Sequence, residues 1–206
     1  MTAPTRSGPA RVLAQDWMSF DGFAAGEHGE GDLFAAVSPE ADAASQRWNE
    51  LLLPGVDEVL LGRATYEQFA DYWPTAEDAV AAAVNAARKT VFSRSLATAP
   101  WGSFPGAAVA SDAVRYVRER RAAGAGTLLV WGSLSIVHTL LAAGELDELD
   151  LFIAPVALGS GRRLLSGRHG PLRLLSTDRW NGTLHARYLL ERPGERAGGE
   201  PLLRVS

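Results

Sequence analysis

The sequence predicts an α/β fold: a central sheet, mixed but mostly parallel, with helices on both faces and antiparallel strands at its C-terminal end. Up to Gly144, apolar runs of strand length alternate with segments of helical periodicity, which is the pattern of strand–helix–strand units. From Leu149 onward, strand-like runs follow one another through Gly-rich turns with no helix between them, as hairpins do. In the middle, T-L-L-V-W at 127–131 is nearly all apolar, as expected of a strand covered on both faces.

In chain order, residues 12–18 form the first strand. It ends at Ser19-Phe20-Asp21-Gly22 and is followed by a mobile loop carrying Gly26, Gly29 and Gly31. Ser38-Pro39 supplies an N-cap with proline at the first helical position, and Ala41, Ala44, Trp48, Leu51 and Leu52 recur at helical spacing until Pro54-Gly55. A strand at 56–61 feeds a helix carrying Tyr66, Phe69 and Ala70. An Ala-rich helix at 77–87 precedes a strand at 90–92, and residues 100–106, with two prolines and two glycines, separate that strand from another at 107–110. Ser111-Asp112 caps a helix running to Gly124. Gly132-Ser133 opens a helix with Ile136, Val137, Leu140 and Leu141 on one face, and Gly144 stops it. Strands at 151–156, 172–176 and 184–190 complete the sheet. One domain over residues 11–192 is expected, with a flexible N-terminus at 1–10 and a loose tail at 193–206.

Composition narrows the function. With 24 acidic residues against 20 basic ones, the net charge of −4 lacks the basic footprint of a nucleic-acid binder. The chain has no cysteine, which removes disulfides, thiolate nucleophiles and thiolate metal sites. His28, His138, His169 and His185 are scattered without ligand spacing, so no metal site is expected. No segment reaches the roughly 20 apolar residues that span a bilayer, and the first nine residues are polar, so a cytoplasmic location is expected. Glu145, Asp147, Glu148 and Asp150 alternate with leucines as a solvated helix end running into a strand would.

Ligands of an open α/β sheet bind at the carboxyl ends of its parallel strands, where helix N-termini offer unpaired N–H groups. Three such junctions stand out: Leu61-Gly62-Arg63-Ala64-Thr65, Phe92-Ser93-Arg94-Ser95 and Trp131-Gly132-Ser133-Leu134. Each combines a small residue with hydroxyls or a guanidinium, as a ligand with several phosphates requires, although a glycine in a tight turn and a solvated arginine would explain any one alone. Neither G-x-G-x-x-G nor a Walker A motif is present. No G-x-S-x-G elbow surrounds Ser93, Ser95 or Ser133, which argues against a hydrolase.

Ser19-Phe20-Asp21-Gly22, D-E-V-L-L-G-R-A-T-Y at 57–66, Trp73-Pro74, K-T-V-F-S-R at 89–94, V-W-G-S at 130–133, G-E-L-D-E-L at 144–149 and P-V-A-L-G-S-G at 155–161 follow one another over nearly the whole chain. In this order they resemble the reductase domain of bacterial riboflavin biosynthesis, a stand-alone member of the dihydrofolate reductase-like superfamily. The resemblance implies a fold of that type and an NADPH-dependent reductase acting on a small planar heterocycle or carbonyl compound, such as a 5-amino-6-(5-phosphoribosylamino)uracil reductase. It implies that Gly62, Arg63, Thr65, Ser93, Arg94 and Ser95 contact the phosphates and ribose of NADPH, with Gly132, Ser133 and Leu134 against the pyrophosphate. It places Ser19 and Asp21 near the nicotinamide and substrate, with Asp21 orienting the substrate or relaying a proton; a simple turn aspartate is the equal alternative. Tyr72 and Trp73 are candidates to stack on the substrate. A homodimer is also implied. Trp131 stands where these reductases usually carry an acidic residue, so the resemblance does not extend cleanly to the ribosylaminopyrimidine substrate. A nucleotide-binding or regulatory module that keeps the cleft without turnover is the alternative. Dihydrofolate reduction would instead require a carboxylate from the helix after the first loop, where Glu40, Asp42 and Glu50 are available.

Overall fold

In the computed structural model, which describes residues 10–124, 126–167 and 170–191, six apolar runs become parallel strands. They are β1 (Arg11–Ser19), β3 (Glu58–Gly62), β4 (Lys89–Phe92), β6 (Phe104–Ala110), β7 (Thr127–Trp131) and β8 (Glu148–Ala154). At one edge β5 (Ala99–Trp101) pairs antiparallel with β6. At the other, β11 (Thr183–Leu190) lies antiparallel to β8, and β10 (Leu172–Trp180) antiparallel to β11. The nine strands run β10-β11-β8-β1-β7-β3-β4-β6-β5. A separate two-stranded ladder joins β2 (Phe23–Ala25) to β9 (Arg162–Arg163). The expected loose ends lie outside the described residues apart from Ala10, which is buried.

Helices cover the two faces. α5 (Ala113–Ala122) and α6 (Leu134–Ala142) pack Val117, Val137 and Leu140 onto Val12, Leu60, Leu128 and Val130. On the opposite face, α3 (Arg63–Tyr72) and α4 (Ala81–Ala86) bring Tyr66, Val80 and Val84 against Leu13, Leu61 and Leu129. The alternation of odd and even residues between the two clusters is the period-2 signature of strands buried on both faces. The other helices are the short α1 (Gly31–Phe34) and α2 (Pro39–Leu52). The Ser38 hydroxyl caps α2 by accepting the Ala41 N–H at 3.2 Å, and the Asp112 carboxylate caps α5 through the Arg115 N–H at 3.0 Å.

Three expectations change. The 77–87 helix shortens to Ala81–Ala86, because the Asp78 carboxylate turns away to accept the Tyr72 hydroxyl at 2.6 Å and leaves the helix start without a side-chain cap. The 100–106 spacer is a hairpin rather than a gap: Gly102 turns at φ +54°, and Trp101, fully buried with its indole N–H on Asn85 Oδ1 at 2.7 Å, draws β5 onto the sheet edge. The acidic run is not solvated. Glu148 is buried between Arg11 and Arg187, Asp147 pairs with Arg121 at 2.6 Å, and buried Asp150 accepts hydrogen bonds from Gln15 and Trp48.

Candidate active site

β1 runs further than its neighbour. Its pairing with β7 ends at Gln15 opposite Trp131, whereas its pairing with β8 continues to Ser19 opposite Ala154. The chain leaves β7 at Gly132, whose φ of +59° favours glycine and whose N–H still donates to the Gln15 carbonyl at 3.1 Å. It then enters α6. One strand over, Gly62 ends β3 in an extended conformation and is itself the N-cap of α3. Between the carboxyl ends of β1, β7 and β3 lies a cleft of about 180 Å³. Asp16, Ala24, Glu30 and Arg162 line one part of it; the other part is formed by the first turns of α3 and α6, 62–65 and 132–135.

A serine hydroxyl ties these two turns together. Ser133 Oγ accepts the Gly62 N–H at 2.7 Å and donates to Thr65 Oγ1 at 3.0 Å, while Thr65 donates to the Gly132 carbonyl at 3.1 Å. A Cβ on Gly62 would come within 3.3 Å of Ser133 Oγ, so a side chain there would press on the brace and Ser133 would have to shift to admit it. The Thr65 and Ser133 hydroxyls are thus spent inside the protein. The N–H groups that begin an α-helix have no acceptor one turn back, and residues 63–65 of α3 and 134–135 of α6, where such groups stand, line the cleft.

At the α3 end, Arg63 Nη1 reaches Ser95 Oγ at 3.0 Å, and its Nε pairs with Glu67 at 2.7 Å. Ser93 shapes the neighbouring turn by accepting the Ser95 and Leu96 N–H groups. Arg94 is exposed and has no ion-pair partner among the described residues. Two of the three predicted junctions therefore wall one cleft, and the third joins it through Arg63 and Ser95.

The other predicted residues sit elsewhere. The Asp21 carboxylate accepts the Ser19 hydroxyl at 2.6 Å and the Leu158 and Gly159 N–H groups at 3.0 and 2.7 Å; these bonds, the Ser19 hydroxyl foremost, hold it down at about 2. It fastens the turn after β1 to the 157–159 loop and is outside the cleft lining. The Ser19 hydroxyl also accepts the Phe23 N–H at 2.9 Å. Trp73 stacks on Trp131 with ring centroids 6.3 Å apart, Phe69 lies edge-on to them, and Tyr72 bonds Asp78; neither Tyr72 nor Trp73 lines the cleft. Glu40, Asp42 and Glu50 do not reach it either. Glu40 is exposed and accepts the Asn181 amide at 2.9 Å, and Asp42 is exposed on Gln46.

Besides Glu30, the carboxyl that lines the cleft is Asp16, which sequence reasoning passed over. It projects from β1 on the α6 side, just past the end of β7. Its Oδ2 is shut off from water without a hydrogen-bond partner. Burial raises its pKa to about 7; the Glu30 carboxylate adds to that, and the Trp17 N–H and Arg162 oppose it. Glu30 and Arg162 stand 3.8 Å apart and are largely solvated. The signal was present in V-L-A-Q-D-W-M, an aspartate that, with Gln15 before it, interrupts a strand otherwise apolar from Val12 to Met18.

An α/β sheet with this strand order and a cleft at its carboxyl edge defines the dihydrofolate reductase-like class. The chain belongs to the RibD C-terminal domain family, whose pattern it matches over residues 10–181. No curated protein sequence is significantly similar to it. Among solved structures it is similar to a Shewanella sp. PV-4 protein provisionally assigned to riboflavin biosynthesis, with 16% identity, a TM-score of 0.68, and coverage of 88% of this chain and 99% of the other. It is also similar to a pyrimidine reductase-like protein of Corynebacterium diphtheriae, at 16% identity and TM-score 0.61 over 89% and 93% of the two chains. A third is the diaminohydroxyphosphoribosylaminopyrimidine deaminase/5-amino-6-(5-phosphoribosylamino)uracil reductase of Thermotoga maritima, at 15% identity and TM-score 0.59. There 88% of this chain matches 57% of the larger protein. Among the described residues no helix is long and apolar enough to cross a membrane.

A carboxyl with a folded-state pKa above its unfolded one loses stability as pH rises from the unfolded value, about 4, through the folded value, about 7. Replacing Asp16 by Asn should therefore raise the melting temperature at pH 8 relative to wild type, by on the order of 2 kcal/mol of stability, with little gain at pH 4. Thermal melts at the two pH values check this, and an Asn variant less stable at pH 8 than wild type contradicts it.

Proposed function

We propose that the protein is an NADPH-dependent reductase of a small planar heterocycle or carbonyl compound. The carrying observation is the Ser133 brace, which places two helix N-termini side by side at one cleft between residues too small to block a phosphate. We read the cleft as a dinucleotide site: Ser133 and Leu134 offer backbone donors to the pyrophosphate, Gly62 and Gly132, whose own N–H groups are engaged, let it approach closely, and Arg63, Ser95, Arg94 and Ser93 lie toward a phosphorylated ribose. Bound there, the reduced nicotinamide would supply a hydride. The chain's part is to hold and orient the cofactor, with Thr65 acting through the brace. Asp21 and Ser19 act by fixing the loop beside the site.

The substrate class follows the family and its reductase relatives. Trp131, packed between Phe69 and Trp73, gives no carboxylate at the position where an acidic residue would be expected, so we do not assign the ribosylaminopyrimidine itself. Because the Asp21 carboxylate is fully engaged, a binding module without turnover is the second reading; acceptor-dependent oxidation of NADPH separates the two. A cytoplasmic location suits such chemistry. The implied homodimer has a candidate surface in edge strand β10, where Leu172, Leu174 and Leu175 are exposed beside a strand edge that is unpaired among the described residues and that a second copy would cover.

NADPH should raise the melting temperature saturably, by about 2.7 kcal/mol of stability at a hundredfold excess over Kd. The Arg63→Ala/Arg94→Ala double variant should bind NADPH about tenfold or more weakly while NADH binding barely changes, since only NADPH carries the 2′-phosphate. Titration by cofactor fluorescence reads both constants. Absence of binding by either nucleotide at millimolar concentration removes the reductase reading. For the dimer, sedimentation should show two copies for the wild type and one for Leu174→Glu; a monomeric wild type rejects that surface.

A further inference from the structure

Asp16 is a costly residue for a strand interior. It is third, after Val12 and Ala14, of the β1 positions on the face that packs against α6. An ionised carboxylate there would need a partner, yet the structure supplies no donor to its Oδ2. The neighbouring carboxyl, Glu30, differs: it is half-exposed and faces Arg162. Of the two acids lining the cleft, one is solvated and paired; the other is largely covered, with a hydrogen bond from the Trp17 N–H but no donor to its buried Oδ2 among the described residues.

The cleft also has a direction. The strand order β1-β7-β3-β4 sets Asp16 after β1 on one side, the starts of α6 and α3 after β7 and β3 next, and the 93–95 turn after β4, which Arg63 reaches through Ser95 just outside the cleft lining, on the other. A dinucleotide whose pyrophosphate rests on the helix N-termini must extend its two nucleoside halves toward opposite ends. The guanidinium and hydroxyl end suits a phosphorylated ribose, which leaves the β1 end to the reacting ring and its acceptor.

We propose that Asp16 is the proton donor of this cleft: its carboxyl passes a proton to the ring nitrogen or carbonyl oxygen of a planar acceptor as the adjacent carbon is reduced. This role rests on the reductase reading above. The acceptor's C=N or C=O double bond becomes single; its carbon gains a hydride, carrying two electrons and one proton, and its heteroatom takes the second proton from Asp16. NADPH leaves as NADP⁺, and the Asp16 carboxylate is reprotonated from solvent. The substrate class is accordingly a heterocycle or conjugated carbonyl whose reducible carbon adjoins a basic nitrogen or oxygen. Burial keeps the Asp16 carboxyl protonated up to about pH 7, where a solvated aspartate would be ionised, so the acid is available at neutral pH. Glu30, from the start of α1, and Arg162, from β9, are the charged groups facing it; Arg63 is the cation on α3, and α6 presents only Leu134 and Ser135 to the cleft.

The test is the pH dependence of the NADP⁺ to NADPH affinity ratio, because the oxidised ring is a cation and the reduced ring is neutral, while the 2′-phosphate is common to both and cancels. With Asp16 beside the ring, ionising it favours NADP⁺, and the ratio should rise about tenfold or more between pH 5.5 and pH 9. In Asp16→Asn the ratio should be flat, and in Glu30→Gln the rise should persist with its midpoint at lower pH. Thermal melts establish that each variant is folded. A flat ratio in the wild type, or a rise surviving in Asp16→Asn, overturns the role of Asp16 while leaving nucleotide binding intact. Failure of both nucleotides to bind overturns the reductase reading and this inference with it.

Discussion

The Ser133 hydroxyl holds the starts of α3 and α6 in one arrangement, and the geometry of the cleft depends on it. It is buried, it satisfies the Gly62 N–H, and through Thr65 it reaches back to the Gly132 carbonyl. Without it, a buried backbone donor would be left unsatisfied at a cost of about 1–3 kcal/mol. The two helix ends would also be free to separate, and neither alone makes a site for a diphosphate. In the proposed reading a serine at this position would act on phosphate indirectly, by fixing backbone donors, and so would Thr65.

The opposite edge of the sheet is built for rigidity. Glu148 is gripped by Arg11 and Arg187 where β8 begins, and Glu58 at the start of β3 accepts the Thr90 and Tyr116 hydroxyls at 2.5 and 2.7 Å beside Arg120. Lys89, the single lysine of the chain, starts β4 with its ammonium on the Asn85 and Ala87 carbonyls and over the Trp101 ring, and burial draws its pKa down to about 8. These partners pin the amino ends of the parallel strands in register. The carboxyl ends are then left with small residues, helix starts and an acid whose Oδ2 has no donor among the described residues. This division places stability at one edge and ligand chemistry at the other.

Sequence periodicity made the parallel sheet legible because its strands are buried on both faces, and Ser38-Pro39 and Ser111-Asp112 marked helix starts through capping chemistry that acts locally. It did not reveal β2 and β9, two short strands that exist only because distant loops meet. The acidic residues at 145–150 looked solvated because their cations, Arg11, Arg121 and Arg187, come from other parts of the chain. The Gly62 and Gly132 junctions were visible as glycine-bearing turns after strands. Asp21 was visible as well, but the loop at 157–159 that engages it is 137 residues away. Asp16 could have been found by asking why an aspartate interrupts an apolar strand, a question that burial and the early end of β7 answer only in three dimensions.

The most direct measurement is a crystal structure of the protein with NADP⁺. The account predicts the pyrophosphate on the N–H groups at the starts of α3 and α6, the ribose phosphate toward Arg63 and Arg94, and the nicotinamide on the β1 side beside Asp16, with the Ser133 bonds unchanged. A nucleotide bound away from this cleft, or bound within it in the reverse direction with its adenine beside Asp16, would contradict it.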